Sequence, residues 1–454
     1  MAAVPLTVII GAGISGLTCA YALRKSGQNV LVLEASARPG GYIETVEENG
    51  FLFELGPQSF SGTEPLFELF EELGISDRLV EAPHGAPRYI VIDGKLVPVP
   101  LSPGAFFVSS LLSWRTKFSI LADIFRSSVP ADTDESVATF VRAKFTPELL
   151  DRLVGPFVSG IYAGDPEKLS LQAAFPKIYE AEEVSGSIIR VRIRLVKSKT
   201  VTQRTRRPGL YSFQKGNATL TQALADFLGT AVRYNAKVEQ EIRRDGDCFV
   251  LTIAGNSGSE EIRAEKLVLA TPTGVNADLL RLIAPAITFP SSDIEYAPVA
   301  VVSHGYHKDQ VGTHLRGFGF LIPRSEKMRT LGTVWNSSLF AGRTPADHVL
   351  MTSFIGGACK SNRERLSEAE SAEIVRREVR GLLRISGSPV IERVTDYGSA
   401  MPQYNVGHTQ RLQTIREAAA KVPGLWLTGN YWKGPSVGTC IEHALAVAEE
   451  IRIS

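Results

Sequence analysis

VIIGAGISGLTCAYALRKSGQNVLVLEA, residues Val8 to Ala35, reads as strand, glycine turn, helix and strand. Gly11, Gly13 and Gly16 stand as G-x-G-x-x-G, and each glycine has its own physical task. Gly11 makes the tight turn out of the strand, Gly13 lets a pyrophosphate approach the backbone, and Gly16 lets the helix pack against the sheet. With Ala12, Ile14 and Ser15 they open a helix whose unpaired N–H groups and positive dipole end favour an anion. Glu34 ends the second strand, 18 positions after Gly16 and beside Ala35, where a carboxylate accepts hydrogen bonds from a ribose diol. The expectation is a Rossmann-like α/β core that binds a dinucleotide.

Composition sets the frame around that core. A chain of 454 residues with 44% hydrophobic content and a formal net charge of +1 is globular and long enough for two or three domains. Its charge gives no reason to expect nucleic acid. Cys19, Cys248, Cys359 and Cys440 are scattered without a C-x-x-C pair, which argues against a disulfide framework or zinc site and for a reducing compartment. His304, His307 and His314 contain an H-x-x-H spacing, yet no acid stands at ligand distance in sequence, so they are expected at the surface and no metal is expected. Met1 leads almost directly into the first strand, which leaves no room for a cleaved leader and implies a cytoplasmic protein.

Arg38-Pro39-Gly40-Gly41 follows the acidic strand end directly, where nicotinamide-binding folds usually start a helix; adjacent glycines suggest backbone held close to a ligand. Asn49-Gly50 between Tyr42–Val46 and Phe51–Leu55 signals a hairpin with a type I′ turn, and it leads into Gly56-Pro57-Gln58-Ser59. Thr63 is placed to cap a helix carrying Leu66, Leu69, Phe70 and Leu73, ended by Gly74. Arg88 opens a second hairpin, where a strand-end surface charge is the plain reading. Helices are expected over Asp134–Lys144 and Pro147–Ile161, and strands near Val299–Ser303, Gly319–Ile322, Thr330–Trp335 and Leu350–Ile355. Ser367 with Glu370 forms a capping box for a helix with Val375, Val379, Leu382 and Leu383 on one side.

Two stretches carry open alternatives. Ser102 to Ser128 is rich in Phe106, Phe107, Leu111, Trp114 and Phe118, but its apolar runs are broken well short of the ~20 residues a spanning helix needs. It is either an ordinary helical subdomain or a face that rests on a membrane with Arg115 and Lys117 near headgroups. Arg190 to Arg207 holds eight Lys or Arg and no acid, either as a solvated loop or as a source of charge for substrate carboxylates or anionic lipid.

With these segments in place the chain, from Val8 to Ile451, resembles the FAD-dependent oxidase superfamily that includes amine oxidases, phytoene desaturases and protoporphyrinogen oxidases. The segment Ser159-Gly160-Ile161-Tyr162-Ala163-Gly164-Asp165-Pro166-Glu167-Lys168-Leu169-Ser170 resembles the signature of the protoporphyrinogen/coproporphyrinogen oxidase family, which amine oxidases and desaturases lack. Gly317–Pro323, Thr330–Thr333, Thr352–Gly357, Ala400–His408 and Leu425–Glu442 are similar to that family in order along the chain. The resemblance implies an oxidoreductase that acts on CH-CH donors and passes hydrogens from a porphyrinogen to FAD and on to oxygen. It implies a mixed α/β protein: an FAD-binding domain (residues 1–84, 208–294 and 395–454), an inserted β-sheet substrate domain (85–100 and 295–394) and a helical insertion (101–207).

By the same resemblance, the cofactor contacts are the glycine loop, Glu34, Ala35, Arg38, Gly40, Gly41, Tyr42, Gly56, Pro57, Gln58, Ser59, Val238, Gly429, Asn430, Ser436, Val437, Gly438 and Ile441. At Tyr42 many relatives have Arg or Trp. The family's substrate pocket maps to Arg88 against a propionate, Phe354, Leu321 and Val334 around the pyrrole rings, and the Gly160 carbonyl toward a pyrrole N–H. No side chain is assigned as a catalytic base, and His408 is expected to cap its helix. Arg88 as the one mapped cation favours protoporphyrinogen IX over coproporphyrinogen III, whose extra propionates would need partners. A flavin amine oxidase and a non-catalytic flavoprotein are the competing classes. The family also implies peripheral contact with the inner face of a membrane, through Phe106, Phe107, Leu111 and Trp114, and is compatible with a homodimer.

Overall fold

The computed structural model describes residues 6–126, 134–191, 209–239, 241–255, 258–359 and 365–454. The basic stretch beyond Val191 lies outside the described residues.

The strand Leu6–Ile10 lies at the centre of a five-stranded sheet ordered Val232–Arg233, Asn29–Leu33, Leu6–Ile10, Lys266–Leu269, Leu425–Leu427. All its pairings are parallel, so both faces must be covered. Ile9 points into a core shared with the helices Ile14–Lys25, Ala218–Leu228 and Val437–Ile453. Val8 and Ile10 point the other way, into a core closed by the antiparallel sheet containing Cys248–Gly255 and by the helix His408–Ala420.

A seven-stranded sheet runs Ile391–Pro402, Tyr296–His307, His348–Gly356, Thr330–Val334, Gly319–Leu321, Arg88–Ile92, Lys95–Pro98. The period-2 alternation splits its side chains cleanly. Val91, Val302, Phe320 and Met351 face the helix Glu368–Leu383, which buries Val375, Val379 and Leu383 against them. The opposite face carries Arg88, Leu321, Val334 and Phe354. His304, expected at the surface, is buried and shares a 2.8 Å hydrogen bond with Glu392, because strand Tyr296–His307 is covered along nearly its whole length.

Short helices from Pro103 to Ser185 enclose a third core around Leu111, Val137, Phe140, Val158 and Leu169. The single helix expected over Pro147–Ile161 is interrupted by a π turn at Leu150–Val154 before Gly155–Tyr162. Pro156 has no N–H to give and its ring crowds the preceding turn, so the backbone widens there. No helix among the described residues is long and apolar enough to cross a membrane.

The region 102–125 departs from expectation at two positions. Leu111 is 0% exposed, inside the core. Lys117 turns inward, donating to the carbonyls of Phe107 (2.8 Å) and Ser109 (2.7 Å) and lying over the Trp114 ring. The last turn of the helix Pro103–Val108 and its C-cap leave carbonyls without intrahelical partners, and the lysine satisfies them. What faces solvent instead is Phe107, Val108 (86%), Trp114 (58%) and Phe118 (63%), with adjoining aromatic rings.

Candidate active site

The first helix, whose N-cap is Gly13, has no side-chain cap and no acid in its first turn, so no side chain of that turn satisfies its leading N–H groups. A Cβ on Gly13 would meet nothing within 4 Å, while one on Gly16 would fall 1.9 Å from the Gly11 carbonyl oxygen. The first glycine therefore keeps open space and the second lets the helix touch the turn. Gly11 is itself at φ 101°.

The R-P-G-G segment docks on this loop by backbone. Gly40 N–H donates to the Ala12 carbonyl at 2.8 Å, and a Cβ on Gly41 would lie 3.3 Å from the Gly13 Cα. The Arg38 guanidinium donates to the Gly41 carbonyl at 3.0 Å and pairs with Glu44, so it braces the segment from behind. Glu34 accepts from Ala12 N–H at 2.7 Å and from Ser36 N–H and Oγ at 2.8 Å each. Its carboxylate thus fixes the loop as well as the strand end, a role that spacing alone did not reveal. The Ala12 and Ile441 side chains are fully buried in the core beneath this loop.

Gly56 cannot carry a side chain, because a Cβ would lie 1.8 Å from the Tyr42 carbonyl oxygen. Tyr42 donates its hydroxyl to the Ser399 carbonyl (2.8 Å), and burial pushes that hydroxyl up to about 12. Gln58 folds back onto the Glu54 and Gly56 carbonyls, leaving Pro57 and Ser59 half-buried. Val238 pairs with Ile253 through its neighbours' hydrogen bonds, so its own N–H and C=O have no backbone partner among the described residues. Gly429 (φ 152°), Asn430 and Ser436 lead into the last helix, where the Ser436 hydroxyl accepts from Thr439 N–H and Val437 and Gly438 form the first turn.

The residues expected to meet the substrate converge on the sheet face opposite the helix Glu368–Leu383. Gly319 registers with both Arg88 and Val334, and Gly332 registers with both Leu321 and Phe354. Val334 and Phe354 share one apolar cluster with Phe318, over which the Arg88 guanidinium stacks at 5.6 Å. A Cβ on Gly160 would come 2.7 Å from Leu321 Cδ2, which brings the helix Gly155–Tyr162 onto the same face.

That helix is locked by contacts distant in sequence. Its C-cap, Ala163, takes φ 48°, and its carbonyl accepts from Ala358 N–H at 2.7 Å. Gln403 donates to the Tyr162 carbonyl (2.8 Å), and Ser170 N–H donates to the Tyr404 carbonyl (2.8 Å). The two stretches Gly160–Ser170 and Ala400–His408 are therefore one interlocked unit. His408 does not cap by its side chain: it is buried, with Nε2 2.8 Å from the Tyr431 carbonyl and its ring against Tyr404. Burial pushes His408 down to about 4, so the ring is neutral and donates from Nε2 to that carbonyl. Asn336, absent from the sequence reading, donates to Gln58 Oε1 at 2.6 Å and ties the cofactor-side loop to the sheet. No local pattern announces such a contact.

The sequence profile of flavin containing amine oxidoreductases matches residues 14–452. A chloroplastic protoporphyrinogen oxidase of Nicotiana tabacum is 36% identical over 98% of this chain and 85% of its own length. The chain belongs to the protoporphyrinogen/coproporphyrinogen oxidase family of flavin-containing oxidoreductases. FAD is its cofactor. The coproporphyrinogen III oxidase of Bacillus subtilis is 28% identical over 98% of this chain and 97% of its own. The solved structure of an Exiguobacterium protein with a provisional protoporphyrinogen oxidase assignment superposes with a TM-score of 0.83 at 23% identity, covering 99% of both chains. That likeness supports the mixed α/β flavoprotein fold.

Proposed function

We propose that the enzyme oxidises protoporphyrinogen IX to protoporphyrin IX with oxygen as the final acceptor. When bound, FAD supplies the two-electron acceptor for hydrogens that leave the macrocycle. The protein supplies orientation and a dry surface. The open ground at Gly13 and the uncapped helix behind it suit the diphosphate, Glu34 suits a ribose, and the backbone of Val238 suits the adenine. Tyr42, Gly56–Ser59 and Gly429–Gly438 would flank the isoalloxazine. Arg88 would pair with a propionate through its planar fork, Leu321, Val334 and Phe354 would hold the pyrrole rings, and the Gly160 carbonyl would accept a pyrrole N–H. No side-chain base is needed on this reading.

The observation that supports the substrate choice is the sheet face under the helix Gly155–Tyr162, where the Arg88 guanidinium lies beside the apolar side chains of Leu321, Val334, Phe354 and Phe318. Such a face suits vinyl and methyl edges better than added carboxylates, whose desolvation would go uncompensated. The experiment is kcat/KM for protoporphyrinogen IX and coproporphyrinogen III in one preparation, which measures discrimination in the transition state. A higher value for coproporphyrinogen III overturns the choice.

Peripheral membrane contact belongs to the same proposal, through Phe107, Val108, Trp114 and Phe118. Their exposure supports it, whereas Leu111 plays no part. Co-sedimentation with anionic liposomes should be lost when Phe107, Trp114 and Phe118 are changed to Ser; undiminished binding sinks the idea.

A further inference from the structure

Beneath the loop Gly56–Ser59 lies a buried polar cluster that the proposed chemistry leaves unused. Glu54, at the end of the strand Phe51–Glu54, and Arg343, in the chain that follows the helix Asn336–Leu339, are each 2% exposed. We propose that Glu54 and Arg343 are a positioning pair that sets the loop Gly56–Ser59 against the sheet carrying Val334 and Phe354, and so controls FAD retention and turnover without touching either ligand.

The connections run outward from the carboxylate. Glu54 Oε1 accepts from Asn217 N–H at 2.8 Å and Oε2 accepts from the Thr45 hydroxyl at 2.8 Å. Asn217 passes this on by donating from Nδ2 to the Pro57 carbonyl at 2.7 Å. The backbone carbonyl of Glu54 holds the Gln58 amide at 2.9 Å, and Gln58 Oε1 in turn holds Asn336. From the sheet side, Arg343 Nη2 stands 3.8 Å from Glu54 Oε1 and donates to Ser212 Oγ at 2.6 Å and the Phe213 carbonyl at 3.2 Å. Its own carbonyl accepts from Leu52 N–H at 3.0 Å. One buried pair thus reaches Pro57 and Gln58 on the cofactor side and Asn336 on the sheet side.

The geometry is a poor one for stability alone. The ion pair is long, and Arg343 Nη1 is buried without a hydrogen-bond partner among the described residues. Buried pairs seldom outperform well-packed apolar residues in stability, and fixing register is their best-attested use. Burial pushes the Glu54 carboxyl up to about 7 against the opposing pull of Arg343, Thr45 and Asn217, so the carboxylate depends on those partners. Losing either member leaves the other uncompensated, and the loop it holds is free to shift. A misplacement of about 1 Å is enough to cost on the order of 100-fold in rate.

The test uses purified holoenzyme carrying Glu54→Gln, Arg343→Met, both together, or Arg343→Lys. FAD release after dilution and the flavin absorption spectrum are read without any porphyrinogen, so a wrong substrate assignment, on which this proposal otherwise rests, leaves those readings valid. Each single variant should release FAD roughly 10-fold faster with a shifted flavin spectrum, and should lower kcat roughly 10-fold or more with little change in KM. The double variant should lie closer to the native enzyme than the product of the singles predicts. Arg343→Lys keeps the charge but loses the fork, and covers the case in which Arg343→Met does not fold; it should fall between native and the other singles. Native spectra, release rates and kcat in folded variants, with only a lower Tm, would overturn the proposal.

Discussion

At the scale of single residues, two glycines of one loop separate folding from binding. A Cβ at Gly16 would strike the Gly11 carbonyl at 1.9 Å, so Gly16→Ala must push the first helix off its sheet. We expect a loss of about 1–3 kcal/mol in stability together with loss of flavin. Gly13→Ala meets nothing within 4 Å at φ −70°, which alanine accepts, so its Tm should stay near native while bound FAD falls at least tenfold. Thermal melts and the flavin content of purified protein distinguish the two, and an unchanged FAD content in Gly13→Ala would remove Gly13 from the site. The sequence separated these roles because G-x-G-x-x-G couples each glycine to a local turn. It was silent on Asn336 and Arg343, and it placed Gln403 and Glu54 in motifs without revealing their contacts, because the partners lie many residues away and such residue types occur everywhere in a polar chain.

At the scale of elements, legibility followed how local the determining forces are. The Asn49-Gly50 hairpin forms with both residues at positive φ, 51° and 78°, and the Ser367–Glu370 capping box forms with both of its hydrogen bonds. Those signals are complete within a few residues. Ser367→Ala should therefore cost about 1 kcal/mol, measurable in urea melts. The helix Gly155–Tyr162 is the contrary case, since its ends are set by Pro156 and by contacts to Ala358 and Gln403. Ala163 sits at φ 48°, where an L-residue is strained, so Ala163→Gly should raise stability by up to about 1 kcal/mol by relieving that strain. A loss of stability would mean that the Ala163 methyl, which lies in the apolar cluster with Leu331 and Ala358, outweighs the backbone strain. Lys117 failed as a headgroup contact for a related reason. Residue type favours solvent, but the end of the helix Pro103–Val108 left the Phe107 and Ser109 carbonyls in need of a donor, and only the packed structure reveals that need.

At the scale of the whole molecule, buried neutral imidazoles hold the last segment together, His408 on the Tyr431 carbonyl and His443 on the Thr428 hydroxyl, and this predicts how stability follows pH. Burial holds His408 down to about 4, and burial with Lys433 and Arg416 nearby holds His443 down to about 4, against an ordinary 6.5. The unfolded chain takes up protons between those values that the native protein refuses, so stability is full above 6.5 and is lost as pH falls toward 4. Glu54 opposes this. Its carboxyl is raised from 4.5 to about 7, so its contribution is full below 4.5 and is lost as pH rises through 7. Each group is worth at most about 3 kcal/mol by linkage. Two histidines stand against Glu54 and the half-buried Glu135, whose carboxyl burial also raises but whose shift solvent screens, so a net fall remains on acidification between 6.5 and 4.5, and below 4.5 Glu148 and Glu392, held below the ordinary carboxylate value by their partners, add to it. Urea midpoints across pH 4.5–7.5 should therefore decline toward acid in the native protein, decline less in His408→Gln, and decline more steeply in Glu54→Gln, which removes the opposing slope. A native profile that is flat or rises toward acid would mean that His408 and His443 are protonated in the folded state. The neutral donor bond from His408 to the Tyr431 carbonyl could then not be what joins the last flavin-side loop to the helix His408–Ala420.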